Sequence, residues 1–402
     1  MTEIRPIVAT LQRHKLIAAL LILLVALTCA IVCNVAFMIW QQLSLMRLPS
    51  GVDENRVVMI DSVSLDRSAN HVAQHQSDLA ALRMIPGVES VAAVDALPFN
   101  GNNWTSSIGT NPQNAVAFAS IFDGTPGELQ TLGLQFIAGR DFLPDEYVPM
   151  DGAQGGLQHV PSAIVTRALA QRLFPGQNPL GKSIYPYPNP IRIVGVVAHM
   201  LRPDVGTGSE SDFSVMMPML PDGSDVVYIM HTPARDRTRV LKQAKDVLYR
   251  IDGNRVVRDG MTFQQLRADY FRRTRTMIGL LVASALGMLF VAALGITGLA
   301  NFWVQQRTRT IGIRRAVGAT RGDILRYFQT ENFLIVTAGI VLGVLLAVGL
   351  NLLLMAHYEL PRLPLWYLPI GAAMLWILGQ LAVLAPALRA SRVPPVVATR
   401  SA

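Results

Sequence analysis

Residues 276–306 have the sequence TMIGLLVASALGMLFVAALGITGLANFWVQQ and contain no Asp, Glu, Lys or Arg. A helix of this length exceeds the ~20 residues that cross the ~30 Å hydrocarbon core of a bilayer. Three further stretches, residues 16–46, 332–356 and 363–388, are equally free of these charges. Helices of soluble domains rarely run beyond about 20 residues. The pattern therefore predicts four membrane-spanning helices, over residues 16–46, 276–306, 332–356 and 365–388.

The charged residues of the chain are few and unevenly distributed. Only 15% of the 402 residues are charged, against about 25% in a typical domain, and the mean hydropathy is +0.35. The net charge of +8 comes from arginines that lie beside the apolar stretches, in residues 307–331 and 389–402. This composition excludes an ordinary soluble protein, and nucleic acid is not an expected partner.

The arginines also predict an orientation in the membrane. Cytoplasmic loops carry an excess of Lys and Arg. Residues 307–331 and both termini are therefore expected in the cytoplasm, next to the lipids of the inner leaflet. Residues 47–275 are then outside. The arginines just before the second span, which include Arg267 and Arg272, disagree with this assignment, but long translocated domains largely escape the rule.

The segments between the predicted spans complete the organisation. Residues 1–15 place apolar and basic residues at helical spacing, which predicts a short interfacial helix on the cytoplasmic leaflet. Residues 47–275 alternate strand and helix patterns and predict a large α+β extracytoplasmic domain of two lobes, with a boundary near residues 150–160. Residues 357–364 form a short outer loop and residues 389–402 a cytoplasmic tail.

Local patterns predict individual elements of the outer domain. Periodicity and β-branched residues predict strands over 56–63, 88–94, 191–197 and 226–230, and helices over 72–85, 163–174 and 234–251. Residues 262–275 contain no Gly or Pro. They predict a helix that runs unbroken into the second span and would carry motion between the outer domain and the membrane.

One segment matches a nucleotide-binding motif. Gly176–Ser183, GQNPLGKS, fits the G-x-x-x-x-G-K-[ST] pattern of phosphate-binding loops. Such a loop follows a strand and opens a helix, whereas here a helical pattern precedes the motif. Pro186, Pro188 and Pro190 follow it and are incompatible with a helix. The segment is therefore interpreted as a turn.

No other residues form a catalytic or metal-binding pattern. The histidines have no H-E-x-x-H spacing, and His71 and His75, which share a helix face, are expected to be solvated. Cys29 and Cys33 lie one turn apart in the first span and are expected to be small packing residues. The sequence predicts no enzyme, no catalytic residue, and no cofactor-binding or metal-binding residue in this chain.

The cytoplasmic segment between the second and third spans has a defined break. Gly318 and Ala319 interrupt the helical pattern, and Thr320 with Asp323 resembles a capping box. This predicts a short basic helix, a turn and a second helix that enters the bilayer. Arginines at an inner leaflet attract anionic lipid in any case, but lipid binding does not require such a turn, which favours a protein partner.

Small residues recur along the third span. Gly339, Gly343 and Ala347 lie on one helix face, the small-xxx-small pattern that lets helices approach closely. They fit either a dimer contact or packing within the chain. Glu331, at the cytoplasmic end of this span, is tolerable there if a loop arginine pairs with it.

Three segments together resemble the MacB/FtsX-type permeases of ABC transporters. RTRTIGIRRAVGATRGDILRYFQTE resembles the cytoplasmic signature of that family. GLQFIAGRDFLPDE (133–146), and SAIVTRALAQRLFPGQNPLGKSI (162–184) with IRIVGVV (191–197), resemble its extracytoplasmic domain. The resemblance implies an inner-membrane permease of a bacterium, with both termini in the cytoplasm, and it explains the motif at Gly176 as a family turn.

The resemblance implies a role in transmitting motion. Family members are dimers in which ATP hydrolysis by an ABC ATPase moves the outer domain, without substrate passing through a membrane channel. Only fifteen residues precede the first span, so a separate ATPase, which holds ATP and Mg²⁺, is expected. The residues expected to couple to it are Arg307, Arg309, Arg314, Arg315, Gly318, Ala319, Thr320 and Asp323.

The implied function is export of a drug, peptide or similar molecule from the periplasmic side. A second permease copy or a sister permease, a membrane fusion protein, an outer-membrane channel and membrane lipid are the further expected partners. Two alternatives stay open at this point: an FtsX-like transmitter that activates an outer partner such as a cell-wall hydrolase, and a permease for lipoprotein release.

Overall fold

The computed structural model describes residues 15–66, 70–150, 160–186, 189–206, 209–258, 260–358 and 367–392. The predicted interfacial helix over residues 1–15, most of the outer loop over 357–364 and most of the tail over 389–402 lie outside the described residues. The chain divides into two compact units. The membrane unit comprises the residues up to 44 and from 274 onward, and the outer unit comprises residues 45–273.

Ten α-helices lie within the described residues. In chain order they are α1 (Lys15–Met46), α2 (His71–Arg83), α3 (Glu128–Leu132), α4 (Arg167–Leu173), α5 (Arg237–Ile251), α6 (Phe263–Tyr270), α7 (Arg272–Gln306), α8 (Thr308–Ala316), α9 (Arg321–Tyr358) and α10 (Tyr367–Ser391).

The strands that the structure describes belong to the outer unit. In chain order they are β1 (Val57–Ser64), β2 (Ser90–Val94), β3 (Thr105–Asn111), β4 (Asn114–Asp123), β5 (Phe136–Gly139), β6 (Val148–Pro149), β7 (Ser162–Thr166), β8 (Ser183–Ile184), β9 (Ile191–Val197), β10 (Ser214–Met217), β11 (Met219–Leu220), β12 (Asp225–His231), β13 (Arg255–Val257) and β14 (Met261–Thr262).

The membrane unit is built from four long apolar helices. By length and composition, α1, α7, α9 and α10 are each able to cross a bilayer. This confirms the predicted fold class, because the four helices flank a large α+β domain. Helix α9 begins eleven residues before the charge-free stretch at 332, at Arg321, so the third helix extends beyond the apolar segment at its basic end.

The small residues of α9 pack inside the chain. A Cβ added to Gly339 would lie 2.7 Å from Val25 Cβ, and one added to Gly343 would lie 2.5 Å from Cys29 Cβ. Ala347 is fully buried. Close approach of helix backbones is what small residues permit in membranes. The stripe therefore brings α9 against α1, and Cys29 is a packing residue of that contact.

A five-stranded antiparallel sheet forms one part of the outer unit. Its order is β13-β1-β12-β2, and β14 also pairs with β1. Successive side chains of a strand point to opposite faces: Val58 and Ile60 of β1 pack under α2 and α5, whereas Val57 and Met59 pack on the opposite side. The sheet is thus covered on both faces, which accounts for its nearly continuous apolar strands.

A seven-stranded mixed sheet forms the other part. Its order is β3-β4-β10-β7-β9-β5, with β8 also paired to β9. One face carries Leu169 and Leu173 of α4. The other face contributes Phe122, Ile164 and Met216 to the same apolar core that covers the first sheet. The two sheets of the outer unit therefore share one core between them.

Two predictions for the outer domain are wrong. A lobe boundary near residues 150–160 is contradicted because the second sheet takes β3, β4 and β5 from before these residues and β7 to β10 from after them, and β6 and β11 form a separate two-stranded sheet across them. The first sheet takes β1 and β2 from before this whole segment and β12 to β14 from after it. The predicted helix over 163–174 begins only at Arg167; β7 precedes it. The β-branched Ile164, Val165 and Thr166 favour the strand.

The predicted unbroken helix over residues 262–275 is also wrong. Helix α6 ends at Tyr270 and α7 begins at Arg272. Phe271 between them is buried, and its ring lies 5.6 Å from that of Phe99 and 4.9 Å from that of Tyr270. This aromatic packing within the outer unit accounts for the interruption.

A polar network is buried between α2 and the first sheet. Arg255 Nη1 lies 2.7 Å from Asp78 Oδ2, and both side chains are almost fully buried. Tyr228 donates its hydroxyl to the same carboxylate at 2.6 Å, and His75 Nδ1 lies 3.0 Å from that hydroxyl oxygen. The prediction that His75 is solvated is therefore wrong. Asp78 lies three residues after His75, on the same face of α2. Burial lowers the pKa of His75.

Asp123 and Glu128 are buried in the outer unit, and neither forms an ion pair with another residue that the structure describes. Asp123 ends β4 and Glu128 begins α3, and one oxygen of each has no hydrogen-bond partner among the described residues. Burial raises the pKa of Asp123 from its usual 3.8 to about 8, and Asp95 adds to this effect. Burial, followed by the charge of Asp123, raises the pKa of Glu128 from 4.5 to about 8.

We expect the outer unit to lose stability as pH rises from about 4 to about 8. In that interval the folded state keeps protons on Asp123 and Glu128 that the unfolded state has released, so the loss should reach roughly 2 kcal/mol or more. Hydrogen exchange of the β4 amides, measured on the whole chain in nanodiscs, reports this change. Asp123→Asn with Glu128→Gln should make the stability of the outer unit nearly independent of pH in this interval. If the stability of that variant falls with pH as steeply as before, these two carboxyl groups are not the cause.

Candidate coupling segment

Helix α8 ends at a turn that requires glycine. The Ala319 N–H donates to Arg314 O at 3.0 Å, and the Val317 N–H donates to Ile313 O at 3.1 Å. Gly318 has φ +108°, which L side chains rarely adopt. A Cβ at Gly318 would meet no atom within 4 Å. Backbone conformation rather than space is therefore what demands glycine here, in a helix end of the Schellman type.

The next helix starts at the predicted capping box. The Asp323 N–H donates to Thr320 Oγ1 at 3.2 Å, and the Thr320 N–H donates to Asp323 Oδ2 at 2.9 Å. The Thr320 hydroxyl donates to the same oxygen at 2.6 Å. These bonds satisfy donors that a helix N-terminus leaves unpaired. The turn between α8 and α9 is thus defined on both sides by hydrogen bonds.

Contacts between α8 and α9 fix the position of the short helix. Ile311 is buried together with Ile324 and Phe328 of α9. The Arg314 guanidinium carbon lies 4.8 Å from the centre of the Tyr327 ring, within the range of a cation–π contact. A helix held by both contacts presents the same face to its surroundings whenever the membrane unit is folded.

Arg307 is turned toward the bundle. Its Nη1 lies 2.8 Å and 3.1 Å from the two carboxylate oxygens of Glu331, and its guanidinium carbon lies 5.7 Å from the Trp303 ring. The Glu331 side chain is 1% exposed. The structure therefore makes Arg307 the internal partner of Glu331, which differs from its predicted place on the coupling surface.

The outward face of α8 combines charge with apolar side chains. Arg309 is exposed, and Arg314 is exposed beside Tyr327; the Arg315 side chain lies outside the described part. Ile313 is 51% and Val317 is 84% exposed. At 100° per residue they lie about 200° and 240° from the buried Ile311, on the opposite side of the helix. We call Arg309, Ile313 and Val317 the outward face.

Sequence reasoning missed the apolar part of this face. Ile313 and Val317 are four residues apart, and this spacing was the available signal. This signal was easy to miss because the buried Ile311 is close to Ile313 in sequence. The apolar residues of α8 can then be taken for one face that packs against the spans. Gly318, Ala319, Thr320 and Asp323 lie together at the turn, as predicted from their spacing.

The motif at Gly176 has the geometry of a turn. The strand β8 follows it, not a helix, and Ile193 N–H donates to Lys182 O at 2.8 Å. Lys182 Nζ bonds Gln177 Oε1 and lies 4.7 Å from the centre of the Phe174 ring. The residues after the lysine therefore cannot present the helix N-terminus that holds a phosphate.

Two family models match the chain. The MacB-like periplasmic core domain matches residues 20–247, and the FtsX-like permease C-terminal domain matches residues 282–395. The first match alone covers more than half of the chain, and the two follow each other in the order that the fold shows. The two matched domains, together with the four apolar helices, define a transporter permease.

The chain belongs to the MacB/FtsX-type permeases of ABC transporters. The predicted resemblance is thereby confirmed, and with it a multi-pass protein of the bacterial inner membrane. Neither matched model is a nucleotide-hydrolysing domain.

Curated relatives agree with the family. The uncharacterized ABC transporter permease YknZ of Bacillus subtilis is 22% identical over 346 residues, which cover 81% of this chain and 78% of YknZ. The macrolide export ATP-binding/permease protein MacB 1 of Aeromonas hydrophila is 27% identical over 337 residues, 78% of this chain and 49% of that protein. MacB of Bradyrhizobium diazoefficiens is 33% identical over 235 residues, 54% of this chain and 34% of that protein. The chain thus spans about half or less of the MacB relatives.

Solved structures with weak similarity come from the same group of proteins. The extracellular domain of YknZ gives a TM-score of 0.33 at 16% identity and covers 50% of this chain and 99% of that domain. The periplasmic region of MacB from Actinobacillus actinomycetemcomitans gives 0.35 at 14% identity and covers 56% of this chain and 97% of that region.

Proposed function

We propose that this permease transmits ATP-driven motion from a cytoplasmic ABC ATPase to its outer unit, and thereby exports a drug, peptide or similar molecule from the periplasmic side. The observation that carries the proposal is the outward face of α8. Two apolar side chains stand exposed there on a helix that packs against α9 through the buried Ile311 and through the Arg314–Tyr327 contact. ATP and Mg²⁺ belong to the ATPase in this proposal, and the chain itself is not an enzyme.

The outward face suits a protein partner better than lipid. Exposed apolar side chains surrounded by polar groups mark interaction sites, and arginine is among the residue types enriched where interfaces gain most of their binding energy. The inner side of α8 packs on the ends of the spans, so the opposite side points away from them. An interfacial lipid-binding helix would bury its apolar face in the leaflet and expose the arginines.

The names of the relatives support the proposal that the permease takes part in export. The MacB relatives carry names that specify macrolide export and ATP binding, and the outer unit matches the MacB-like core domain over most of its length. A separate ATPase, a second permease copy or sister permease, a membrane fusion protein and an outer-membrane channel are the partners we propose. An FtsX-like transmitter that activates an outer partner, and lipoprotein release, are the alternative functions.

Replacing the apolar pair tests the ATPase contact. Ile313→Glu with Val317→Glu should reduce co-purification of the ATPase at least about tenfold, because each substitution would bury an unpaired carboxylate in the contact. Both positions are exposed, so folding should be unaffected. Val256→Glu, at a 47% exposed valine of the outer unit, is the matched control. Full ATPase recovery with the double variant would reject the contact.

The orientation is part of the proposal. Arginine-rich residues 307–331 favour the cytoplasm for α8, with both termini on the same side and the outer unit in the periplasm. Cysteines introduced at Gly155, Val317 and Thr399 should react with a membrane-impermeant maleimide in cells with a permeabilised outer membrane only at position 155. Because Cys29 and Cys33 are buried, they should stay silent. Labelling at 317 but not at 155 would reverse the orientation.

A further inference from the structure

Three family-like segments of the outer unit meet at one cavity. Arg140 and Glu146 come from the segment over residues 133–146, and Leu180 and Gly181 come from the turn that mimics a nucleotide-binding loop. Arg192, Ile193 and Val194 come from β9. Together with Pro161 they line a cavity of about 490 Å³. The proposed coupling to an ATPase uses none of these residues.

Backbone hydrogen bonds hold the walls of the cavity against β9. The Arg140 N–H donates to Val194 O at 3.0 Å. On the other side, the Gly181 N–H donates to Ile193 O at 2.9 Å. Each wall is therefore attached to the strand that forms the floor. The cavity is preformed, and its volume lies in the range of ~300–1,000 Å³ that small-molecule sites occupy.

The two arginines of the cavity have different surroundings. Arg140 donates two hydrogen bonds to the Glu146 carboxylate, at 2.7 and 2.8 Å, and this contact lowers the pKa of Glu146 to about 2. Arg140 is thus neutralised in place. Arg192 is exposed, and a Cβ at Gly181 would lie 3.5 Å from its Nη2. Among the residues described, no acceptor or carboxylate pairs with Arg192.

The cavity therefore has one arginine, Arg192, that no carboxylate pairs with among the described residues, whereas Asp141 and Asp145 act on Arg140 in addition to Glu146. Its lining holds two guanidinium groups and one carboxylate. A guanidinium presents a planar set of donors that matches the oxygen pairs of carboxylate and phosphate groups. Arg192 itself lines the cavity, and Gly181 beside it has φ +79°, a backbone conformation that favours glycine at this turn.

We propose that this cavity binds a small anion through its carboxylate or phosphate group, with Arg192 as the residue that contacts it. The Arg140–Glu146 pair forms the opposite wall and limits the size of the anion. The inference concerns the outer unit alone and does not depend on the ATPase contact.

Equilibrium dialysis of radiolabelled inorganic phosphate tests the site on the whole chain in nanodiscs of zwitterionic lipid. Saturable binding is expected, and Arg192→Gln should weaken it at least about tenfold, as for loss of one charge-assisted contact. Arg172→Gln, which removes an exposed arginine of α4 in the same unit, is the matched control and should change binding less than about twofold. Arg192→Lys keeps the charge and loses the planar donor set, so its effect should be intermediate.

Several outcomes would overturn the proposal. The first is that the unaltered chain shows no saturable phosphate binding. The second is that the Arg192→Gln variant binds phosphate as tightly as the unaltered chain. The third is that Arg192→Gln and Arg172→Gln weaken phosphate binding equally, which would indicate a general effect of charge. Competition by succinate would support recognition of carboxylates as well as phosphates.

Discussion

Gly343→Leu is expected to prevent α1 and α9 from packing. A Cβ at Gly343 would lie 2.5 Å from Cys29 Cβ and 2.6 Å from Ala26 O, so a backbone atom of α1 stands in the way and no rotamer relieves the clash. Overpacking of a well-packed core typically costs about 1–3 kcal/mol, and we expect the upper end. Thermal unfolding of the chain in nanodiscs measures the loss.

The same helix offers a matched control for this substitution. A Cβ at Gly349, also in α9, would meet no atom within 4 Å. Gly349→Leu adds the same volume and removes the same backbone freedom, and should leave the unfolding temperature nearly unchanged. If both leucine variants melt alike, the small-residue stripe of α9 is not the contact with α1.

Removal of the Glu331 carboxylate is expected to have an effect of similar size. Glu331→Ala leaves the guanidinium of Arg307, only 15% exposed, without its anionic partner. Breaking one side of a buried ion pair costs roughly 3–5 kcal/mol. The loss should appear as a lower unfolding temperature and as weaker recovery of the ATPase, because α8 begins at the residue after Arg307.

Replacing both Arg307 and Glu331 separates the effect of an unpaired buried charge from the effect of losing the ion pair itself. Arg307→Met with Glu331→Leu removes both charges and keeps apolar volume, and such replacements are often neutral for stability. We expect the double variant to be clearly more stable than Glu331→Ala. A double variant that is as unstable as the single one would mean that Arg307 acts outside this pair.

Much of the architecture could be predicted because it depends on local sequence. The four charge-free stretches predict α1, α7, α9 and α10, since a bilayer imposes length and polarity residue by residue. The strand predicted over 191–197 is confirmed by β9, whose β-branched run has no competing helical period. The two-sheet arrangement could not be predicted in the same way. Pairing of β1 with β12 joins residues some 170 positions apart, and nothing in either strand specifies the other.

The errors have physical causes of the same kind. Phe271 lies in a segment with good helical pattern, but its ring is held in an aromatic group with Phe99 and Tyr270 that only the folded outer unit assembles. His75 looks solvated until Tyr228, far along the chain, reaches it. At the turn, by contrast, Gly318, Thr320 and Asp323 interact with near neighbours, and the sequence was sufficient.

A photo-crosslinking amino acid at position 317 tests the coupling segment most directly. Val317 is 84% exposed, so the probe should be accommodated without disturbing α8, and position 256 in the outer unit is the matched control. When the permease and its ATPase are expressed together, irradiation is predicted to join position 317 to the ATPase, and position 256 is predicted to give no such product. An intact complex in which position 317 crosslinks only to lipid, or does not crosslink to the ATPase at all, would contradict the assignment of α8 as the coupling segment.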